Sequence, residues 1–250
     1  MKITVVGGTG LIGTKVVARL IADEQDVVVA SRATGVNSFT GDGLQEALEG
    51  AEVVVDTSNS GYWDEAGALE FFYVSTLNLL TYGAVAGVRH HIALSVVGTD
   101  RLARSEGGYF RGKEAQERLI LDSSMPYSIV HSTQFFEYLA SMADHATEGN
   151  IVRLSNAFIQ PIAADDVAAA VSGTAMDPPV NGTVEYAGPD QYRLDELVRH
   201  HLAIRDDPRQ VVADPLARYL GTQLEERELL PGDDAMIAGT HFEDWLRQRG

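Results

Sequence analysis

The stretch Val5-Val6-Gly7-Gly8-Thr9-Gly10-Leu11-Ile12-Gly13 decides the fold of this chain. An apolar run that begins at Ile3 leads into it, and an amphipathic segment, Thr14–Ile21, follows it. A short β-branched run is typical of a buried strand, and apolar residues at helical spacing are typical of a helix. The sequence therefore predicts a strand, a glycine turn and a helix in immediate succession at the N-terminus.

The three glycines of this turn, Gly7, Gly10 and Gly13, are spaced G-x-x-G-x-x-G. One glycine lets the chain turn sharply, one lets backbone N–H groups approach a pyrophosphate, and one lets the helix pack close to the strand. The N-terminus of the helix adds unpaired N–H donors and a partial positive charge. The alternative is a tight turn without a ligand, and the strand before and the helix after it favour the phosphate site.

Apolar runs and helical patterns alternate over the first 150 residues. The predicted strands are Ile3–Val6, Val27–Ala30, Val53–Val55, Ile92–Leu94 with Val96–Val97, and Tyr127–Val130. The predicted helices are Gly13–Ile21, Leu44–Leu48, Ala66–Ala86, Gly112–Leu121 and Gln134–Thr147. Between Arg32 and Gly41 there is room only for a shrunken strand at Ser38–Thr40. This βα repeat predicts an α/β fold with a doubly wound parallel sheet and right-handed crossovers, the Rossmann arrangement.

The alternation of strand and helix patterns becomes less regular after about Asn150, although no linker interrupts the chain. The patterns there predict a short strand at Val184–Tyr186 and helices at Asp165–Met176, Leu194–Ile204, Pro215–Glu228 and His241–Arg249. We therefore predict one domain, in which residues 1–150 form the NAD(P)-binding Rossmann core. Residues 151–250 continue the sheet and add a small C-terminal lobe that contacts the substrate.

Composition restricts the class of function. The chain has 250 residues, 45% hydrophobic residues, no cysteine and a net charge of −17. An acidic surface repels nucleic acid and anionic lipid, and a chain without cysteine has neither disulfides nor thiolate metal ligands. With no targeting or membrane-spanning segment visible, we expect a cytoplasmic protein with a small-molecule substrate, no metal, and no nucleic acid or membrane partner. The composition leaves open whether the protein forms a homo-oligomer.

The residues after the second strand bear on the choice of cofactor. A carboxylate there suits the 2′-hydroxyl of NAD, and an arginine suits the 2′-phosphate of NADP. The strand ends with Ala30 and is followed by Ser31 and Arg32, which can donate hydrogen bonds to a phosphate. The alternative is an ordinary exposed arginine. Thr9 is expected to add a hydroxyl to the phosphates, and Asp42 either reaches the adenine amino group or caps the next helix.

Tyr109 and Lys113 form a Y-x-x-x-K pattern on one face of a predicted helix. A nearby ammonium lowers the pKa of a phenol, which can then exchange a proton with a substrate oxygen. Ser95 is expected just past the preceding strand, where it can hydrogen-bond the same oxygen. The alternative is a tyrosine at a helix start with a solvated lysine.

With these residues in view, the chain resembles the short-chain dehydrogenase/reductase superfamily, and more narrowly its atypical, NmrA-like branch. The matching stretches are Gly7–Gly13, Val53–Asn59, Ala93–Gly98, Tyr109–Lys113, Pro126–Phe136, Pro161–Val167 and Ala187–Pro189. The resemblance implies an NAD(P)-binding Rossmann domain in which the residues of the glycine turn, among them Leu11 and Ile12, bind the cofactor. It also implies that Thr57, Ser58 and Asn59 line the adenosine side, that Lys113 holds the nicotinamide ribose, and that the turn with Thr133 flanks the nicotinamide.

One departure concerns the proton relay of the superfamily. The helix Ala66–Ala86 contains a single asparagine, Asn78, about one turn later than that relay requires. The loop with Tyr62 and Trp63 and the stretch Arg101–Arg111 are candidates for a pocket wall and a lid.

The first hypothesis is an NADP(H)-dependent oxidoreductase acting on a carbonyl or alcohol, or on a quinone or enone, with Tyr109, Lys113 and Ser95 as catalytic residues. The alternatives are a cofactor-binding regulator without turnover and an isomerase or epimerase with a tightly held NAD. A regulator has no need of the Tyr109 and Lys113 pair, and the absence of an acidic residue beside Ser31 counts against the epimerase.

Overall fold

The structure is a computed structural model that describes residues 1–61, 65–103 and 108–248. The pocket wall predicted at Tyr62 and Trp63, and residues 104–107 of the predicted lid, lie outside this part of the chain.

Strands and helices alternate in the described residues. The strands are β1 (Lys2–Val6), β2 (Asp26–Ala30), β3 (Val53–Asp56), β4 (His90–Val96), β5 (Tyr127–Ser132), β6 (Thr147–Glu148), β7 (Ile151–Leu154), β8 (Phe158–Ile159), β9 (Gly182–Ala187), β10 (Tyr192–Arg193), β11 (Gln210–Ala213), β12 (Arg218–Tyr219), β13 (Thr222–Gln223) and β14 (Met236–Ile237). The helices are α1 (Leu11–Ala22), α2 (Leu44–Leu48), α3 (Glu65–Ala86), α4 (Thr99–Leu102), α5 (Tyr109–Leu121), α6 (Leu139–His145), α7 (Ala164–Met176), α8 (Leu194–Ile204) and α9 (Phe242–Arg247), with 3-10 turns at Arg32–Thr34 and Phe136–Tyr138.

The central sheet runs in the order β14-β9-β5-β4-β3-β1-β2, and all its neighbouring strands are parallel. The predicted doubly wound α/β fold is thereby confirmed. The order changes direction at β1, which lies between β2 and β3, and ligands bind at such a switch point in open α/β sheets. Because the strands are parallel, their carboxyl ends meet at one edge.

Side chains alternate between the two faces of the sheet, so each buried strand feeds two cores. Val53 and Val55 pack in the core under α1 and α7, whereas Val54 packs in the core under α2 and α3. A third core joins α6, α8 and α9 of the C-terminal region through Phe136, Phe242 and Trp245. Strands β9 and β14 of this region extend the central sheet.

The strand predicted at Ser38–Thr40 does not form, and these residues lie in a turn. The Asn78 side-chain amide on α3 donates hydrogen bonds to the Ser38 carbonyl at 2.9 Å and the Phe39 carbonyl at 3.0 Å. Those carbonyls are therefore not available to a neighbouring strand. The same contacts give Asn78 a structural partner away from the predicted proton relay.

The helix predicted at Pro215–Glu228 is also wrong. This segment contains the antiparallel pair β12 and β13, joined by Leu220 and Gly221 with positive φ angles of 49° and 87°. A left-handed pair of residues ends any helix and suits a two-residue hairpin turn.

Among the residues that the structure describes, no helix is both long and apolar enough to cross a membrane.

Candidate functional site

A cleft of about 1140 Å³ opens along the carboxyl edge of the central sheet. The turn after β1, the ends of β2, β3, β4 and β5, and the start of α5 all line it. This is the edge at which doubly wound sheets bind nucleotides. The cleft brings together most of the site residues predicted from the sequence: Gly7, Thr9, Gly10, Leu11, Ile12, Ser31, Arg32, Thr57, Ser58, Asn59, Ser95, Tyr109, Lys113 and Thr133.

The three turn glycines have different neighbours. Gly7 has a positive φ of 74°, and a Cβ there would lie 2.7 Å from the Ser58 nitrogen. A Cβ on Gly13 would lie 2.2 Å from the Gly7 carbonyl oxygen, so Gly13 permits the close packing of α1 on the turn. At Gly10 the nearest atom would be that same oxygen at 3.2 Å, and the remaining space belongs to the cleft. Of the three glycines, Gly10 is therefore the one that borders open space in the cleft.

The end of β2 places Ser31 and Arg32 at one end of the cleft. The Arg32 side chain is exposed, and its guanidinium makes no hydrogen bond or ion pair with the residues that the structure describes. Several other surface arginines form ion pairs, as Arg89 does with Glu52. In a chain with a net charge of −17, an unpaired arginine in the cleft is a ready partner for a phosphate.

Asp42 does not belong to this cleft. Its carboxylate accepts a 2.6 Å hydrogen bond from the Thr40 hydroxyl, and the residue is not part of the cleft lining. Gly43, not Asp42, occupies the N-cap position of α2. The N-cap alternative is therefore wrong, and the placement gives no support to the adenine contact.

Several buried polar atoms along the cleft have no partner in the protein. These are the hydroxyl oxygens of Ser58 and Thr133 and both amide atoms of Gln134. A buried polar group without a hydrogen bond costs about 1–3 kcal/mol, so native proteins rarely keep several together unless a ligand satisfies them. These unpartnered atoms fit a polar group such as the ribose or the carboxamide of a nicotinamide cofactor.

Lys113 is buried at the second turn of α5. Its ammonium donates to the Leu94 carbonyl at 2.8 Å and to the Gln116 side-chain oxygen, and it lies 4.5 Å from the centre of the Phe72 ring. Burial lowers the pKa of Lys113 to about 8, against the opposing effect of the Asp56 and Glu117 carboxylates. The side chain is therefore mostly cationic at neutral pH.

Tyr109 opens α5 and lines the cleft. Its hydroxyl donates a 3.0 Å hydrogen bond to Asn59 Oδ1, and its ring meets Phe72 edge-on at 5.5 Å. Burial raises the pKa of Tyr109, and the neighbouring Tyr138 and Tyr219 raise it further. The sequence-based expectation that Lys113 lowers this pKa is wrong for this structure, because the lysine ammonium is directed toward Leu94 and Gln116.

Ser95 lies within β4, although the sequence predicted that it follows the strand. Its side chain is directed toward α5 and not toward the position predicted for the substrate oxygen. Its hydroxyl donates to Glu117 Oε1 on α5 and lies 3.5 Å from the Thr99 hydroxyl. Side chains alternate along a strand, so its neighbour Val96 faces the other way. The structure therefore does not place Ser95 beside the Tyr109 hydroxyl as a second donor.

Glu117 belongs to a buried charged network that sequence reasoning missed. His131 Nε2 lies 2.9 Å from Glu117 Oε1, and His131 Nδ1 lies 3.6 Å from Glu185 Oε1. Burial alone would lower the pKa of His131, but the hydrogen bonds and charges of Glu117 and Glu185 outweigh it and raise the pKa to about 9. The imidazolium therefore links α5, β5 and β9 behind the cleft.

His131→Gln is expected to lower the free energy of unfolding at pH 7 by roughly 3–5 kcal/mol, because two partly buried carboxylates lose their cation. His131 has a raised pKa, so its contribution is complete below about pH 6.5 and is lost as the pH rises through about 9. Urea unfolding at pH 7 and at pH 10 measures this. The half-exposed His200→Gln is the control and should change stability by less than about 0.5 kcal/mol. A pH-independent loss in His131→Gln contradicts the charge argument.

The order of the parallel strands and the cleft at their carboxyl edge together define a doubly wound α/β protein of the Rossmann type. No protein-family model and no curated protein matches the chain. Solved structures do match, and their likeness extends over nearly the whole chain.

Three of these structures show the range of that likeness. MoeE5 in complex with UDP-glucose and NAD has a TM-score of 0.74 and 16% identity, covering 100% of this chain and 99% of its own. DesIV, a dTDP-glucose 4,6-dehydratase from Streptomyces venezuelae with NAD bound, has a TM-score of 0.74 and 17% identity over 99% and 95%. A short-chain dehydrogenase/reductase superfamily protein from Agrobacterium tumefaciens with NAD bound has a TM-score of 0.63 and 17% identity over 99% and 90%. The predicted short-chain dehydrogenase/reductase type of fold is confirmed, whereas these likenesses do not single out the NmrA-like branch.

Proposed function

We propose that this protein is an NADP(H)-dependent oxidoreductase that transfers a hydride between the nicotinamide and a carbonyl or alcohol carbon, with quinones and enones as variants of the same class. The observation that carries the proposal is the joint placement of Tyr109, Lys113 and the glycine turn in one cleft. The NAD-bound dehydratase and MoeE5 structures described above share the fold and favour nicotinamide chemistry in general.

Bound NADPH would supply the hydride, and the residues of the protein would bind the cofactor and give a proton to the substrate. The backbone at Gly10 and the N-terminus of α1 would hold the pyrophosphate, while Thr133 and Gln134 would offer hydrogen bonds at the nicotinamide end. The Tyr109 hydroxyl gives its proton to the carbonyl oxygen as the carbon is reduced to an alcohol, and it regains a proton from solvent. A raised pKa keeps the Tyr109 hydroxyl protonated before the step, so that it can act as the proton donor.

The NADP preference rests on Arg32. MoeE5 and DesIV are described with NAD, and the chain here has Ser31 and Arg32 where a carboxylate would select NAD. The 2′-phosphate would give Arg32 the charged partner that it lacks among the described residues.

Arg32→Ala is expected to weaken NADPH binding about tenfold or more and to leave NADH binding nearly unchanged. The reason is the loss of one charge-assisted hydrogen bond, worth roughly 1.5–3 kcal/mol. Calorimetric titration of both cofactors measures it, and Arg205→Ala, an exposed arginine outside the cleft, is the matched control. Equal affinity of the parent protein for NADPH and NADH would refute the preference.

The second candidate is a regulator that binds NADP(H) without turnover. A spectrophotometric screen that follows NADPH loss against ketones, aldehydes and quinones separates the two. Tight NADPH binding without turnover of any compound would favour the regulator, and turnover would establish the enzyme. The burial of Lys113 at the cleft favours the enzyme, because a binding module gains nothing from the cost of burying that charge.

A further inference from the structure

The Lys113 ammonium is directed by two acceptors that belong to different elements. One is the Leu94 carbonyl of β4 at 2.8 Å, and the other is the side-chain oxygen of Gln116, three residues further along α5. Lys113 and Gln116 are both buried, and a buried ammonium requires hydrogen-bond acceptors. Of its three N–H donors, the described residues take two. One donor is therefore left for a group in the cleft, which Lys113 lines.

The direction of the Gln116 amide is set by Asp56. Gln116 Nε2 donates a 2.9 Å hydrogen bond to Asp56 Oδ2, so the amide oxygen faces the Lys113 ammonium. A reversed amide would place its NH2 group against the ammonium and its oxygen against the carboxylate, which are two repulsive contacts in a buried position. His91 of β4 also interacts with Asp56, but burial lowers the pKa of His91, so it is neutral at pH 7 and adds no competing cation.

Asp56 also holds the loop that follows β3. It is the last residue of this strand, and its Oδ1 accepts a 2.9 Å hydrogen bond from the backbone N–H of Ser58. Ser58 and Asn59 line the cleft, and Asn59 accepts the hydrogen bond of the Tyr109 hydroxyl. One buried carboxylate thus joins the loop beside Tyr109 to the amide that directs Lys113.

Two carboxylates act on Lys113 through their charge. Burial lowers the pKa of Lys113 to about 8, and the charges of Asp56 and Glu117 oppose that change. Glu117 follows Gln116 on α5, but its Oε1 lies 2.9 Å from His131 Nε2. Asp56 lies behind the Gln116 amide. Among the described residues, two neutral oxygens therefore fix the direction of the ammonium, and the carboxylates stand one step away.

We propose that Gln116 and Asp56 are positioning residues, which direct the Lys113 ammonium so that its remaining N–H donor meets a hydroxyl of the nicotinamide ribose. Asp56 orients the Gln116 amide, and the amide oxygen holds the ammonium at the cleft. The ribose contact rests on the proposed function, whereas the orientation of Lys113 is a property of the protein without cofactor.

The first experiment follows the lysine side chains by NMR. The chain contains three lysines, Lys2, Lys15 and Lys113, so protein labelled with carbon-13 at the lysine ε position gives three resonances to assign. Gln116→Met keeps the length of the side chain and removes an acceptor of the ammonium. It is expected to lower the pKa of Lys113 by about one pH unit or more, because one hydrogen bond to a charged group is worth that much.

Gln160→Met is the matched control. Gln160 is a buried glutamine outside the cleft, and its amide also makes two hydrogen bonds, with Gly188 and Gln191. This variant should leave the pKa of Lys113 as it is in the parent protein. An unchanged pKa in Gln116→Met, or an equal fall in Gln160→Met, overturns the proposal.

Asp56→Asn tests whether Asp56 acts through the Gln116 amide. If the asparagine oxygen still accepts from Ser58, its NH2 group faces Gln116, whose amide must then reverse and present its own NH2 group to the ammonium. The pKa of Lys113 should fall at least as far as in Gln116→Met, and the two falls should not add in the double variant. Additive falls would show that Asp56 acts by its charge alone and would overturn its role. If Gln116→Met does not fold, an unchanged pKa in Asp56→Asn overturns the proposal instead.

NADPH titration of the same proteins connects the direction of the ammonium to the proposed function. Gln116→Met is expected to weaken NADPH binding about tenfold, because a misdirected ammonium loses its hydrogen bond to the ribose, and Gln160→Met should bind as the parent protein does. Parent-like affinity in Gln116→Met refutes the ribose contact and leaves the oxidoreductase standing. If the parent protein does not bind NADPH, the proposed function fails, and the lysine spectra by themselves decide whether Gln116 positions Lys113.

Discussion

Tyr109→Phe is expected to lower the turnover number by about 10²–10⁴, the usual worth of a positioned acid–base group. The change removes the proton that the site gives to the substrate oxygen, and it keeps the ring that packs edge-on against Phe72. NADPH affinity should barely change, because the hydroxyl bonds to Asn59 and not to the phosphate turn. Steady-state kinetics together with NADPH titration measure both effects.

Lys113→Ala separates the catalytic role of Tyr109 from cofactor binding. The lysine ammonium lines the cleft, where it would hold the nicotinamide ribose in the proposed complex, so its loss should reduce NADPH affinity and, because the nicotinamide is then misplaced, turnover. Tyr127→Phe, at the start of β5 and away from the cleft, is the control for the loss of a phenol. Parent-like turnover in Tyr109→Phe would exclude the tyrosine mechanism and leave direct hydride transfer to a quinone or enone.

Gly10→Val is expected to abolish the binding of both cofactors and to leave the protein folded. Gly10 has φ −80° and ψ −179°, an extended backbone that valine adopts without strain, so stability should change by no more than about 1 kcal/mol. The valine side chain would occupy the place where the backbone meets the pyrophosphate. NADPH titration and thermal unfolding of the same sample measure both expectations.

Gly13→Val is the matched comparison three residues further along. A Cβ there would lie 2.2 Å from the Gly7 carbonyl oxygen, so α1 would have to move away from the turn. We expect a loss of at least about 3 kcal/mol, the upper part of the range for overpacking, with the soluble yield falling accordingly. Normal NADPH binding by a folded Gly10→Val protein would show that the pyrophosphate lies elsewhere.

The periodic part of the fold follows from the sequence because its signals are local. The β-branched runs that predict β1, β3, β4 and β5 are buried on both faces, whereas β2 is half-buried at the edge of the sheet. The two errors lie where tertiary contacts override the pattern. The Asn78 amide donates hydrogen bonds to the carbonyls of Ser38 and Phe39, where a strand was predicted. The left-handed residues Leu220 and Gly221 form a hairpin turn in a segment whose composition had predicted a helix.

The site residues divide in the same way. Residues whose position follows from the strand–turn–helix motif, such as Gly10 and Arg32, lie in the cleft as their spacing predicts. Ser95 was misjudged because the strand includes it, and the period of two along β4 then turns its hydroxyl to Glu117. Asn59 and Tyr109 are far apart in sequence, and no spacing rule predicts the hydrogen bond that joins them.

The sequence by itself determined the order of β1 to β5 and of the helices α1, α2, α3 and α5 among them, the glycine turn, and the presence of a tyrosine and a lysine one helical turn apart. These depend on neighbours within a few residues, whose conformations are coupled through the backbone. Only the tertiary structure decided where the side chains point: Lys113 toward Leu94, Ser95 toward Glu117, and the Tyr109 hydroxyl toward Asn59. Each of these contacts joins separate segments of the chain, because a buried polar group must find its partner wherever packing brings one.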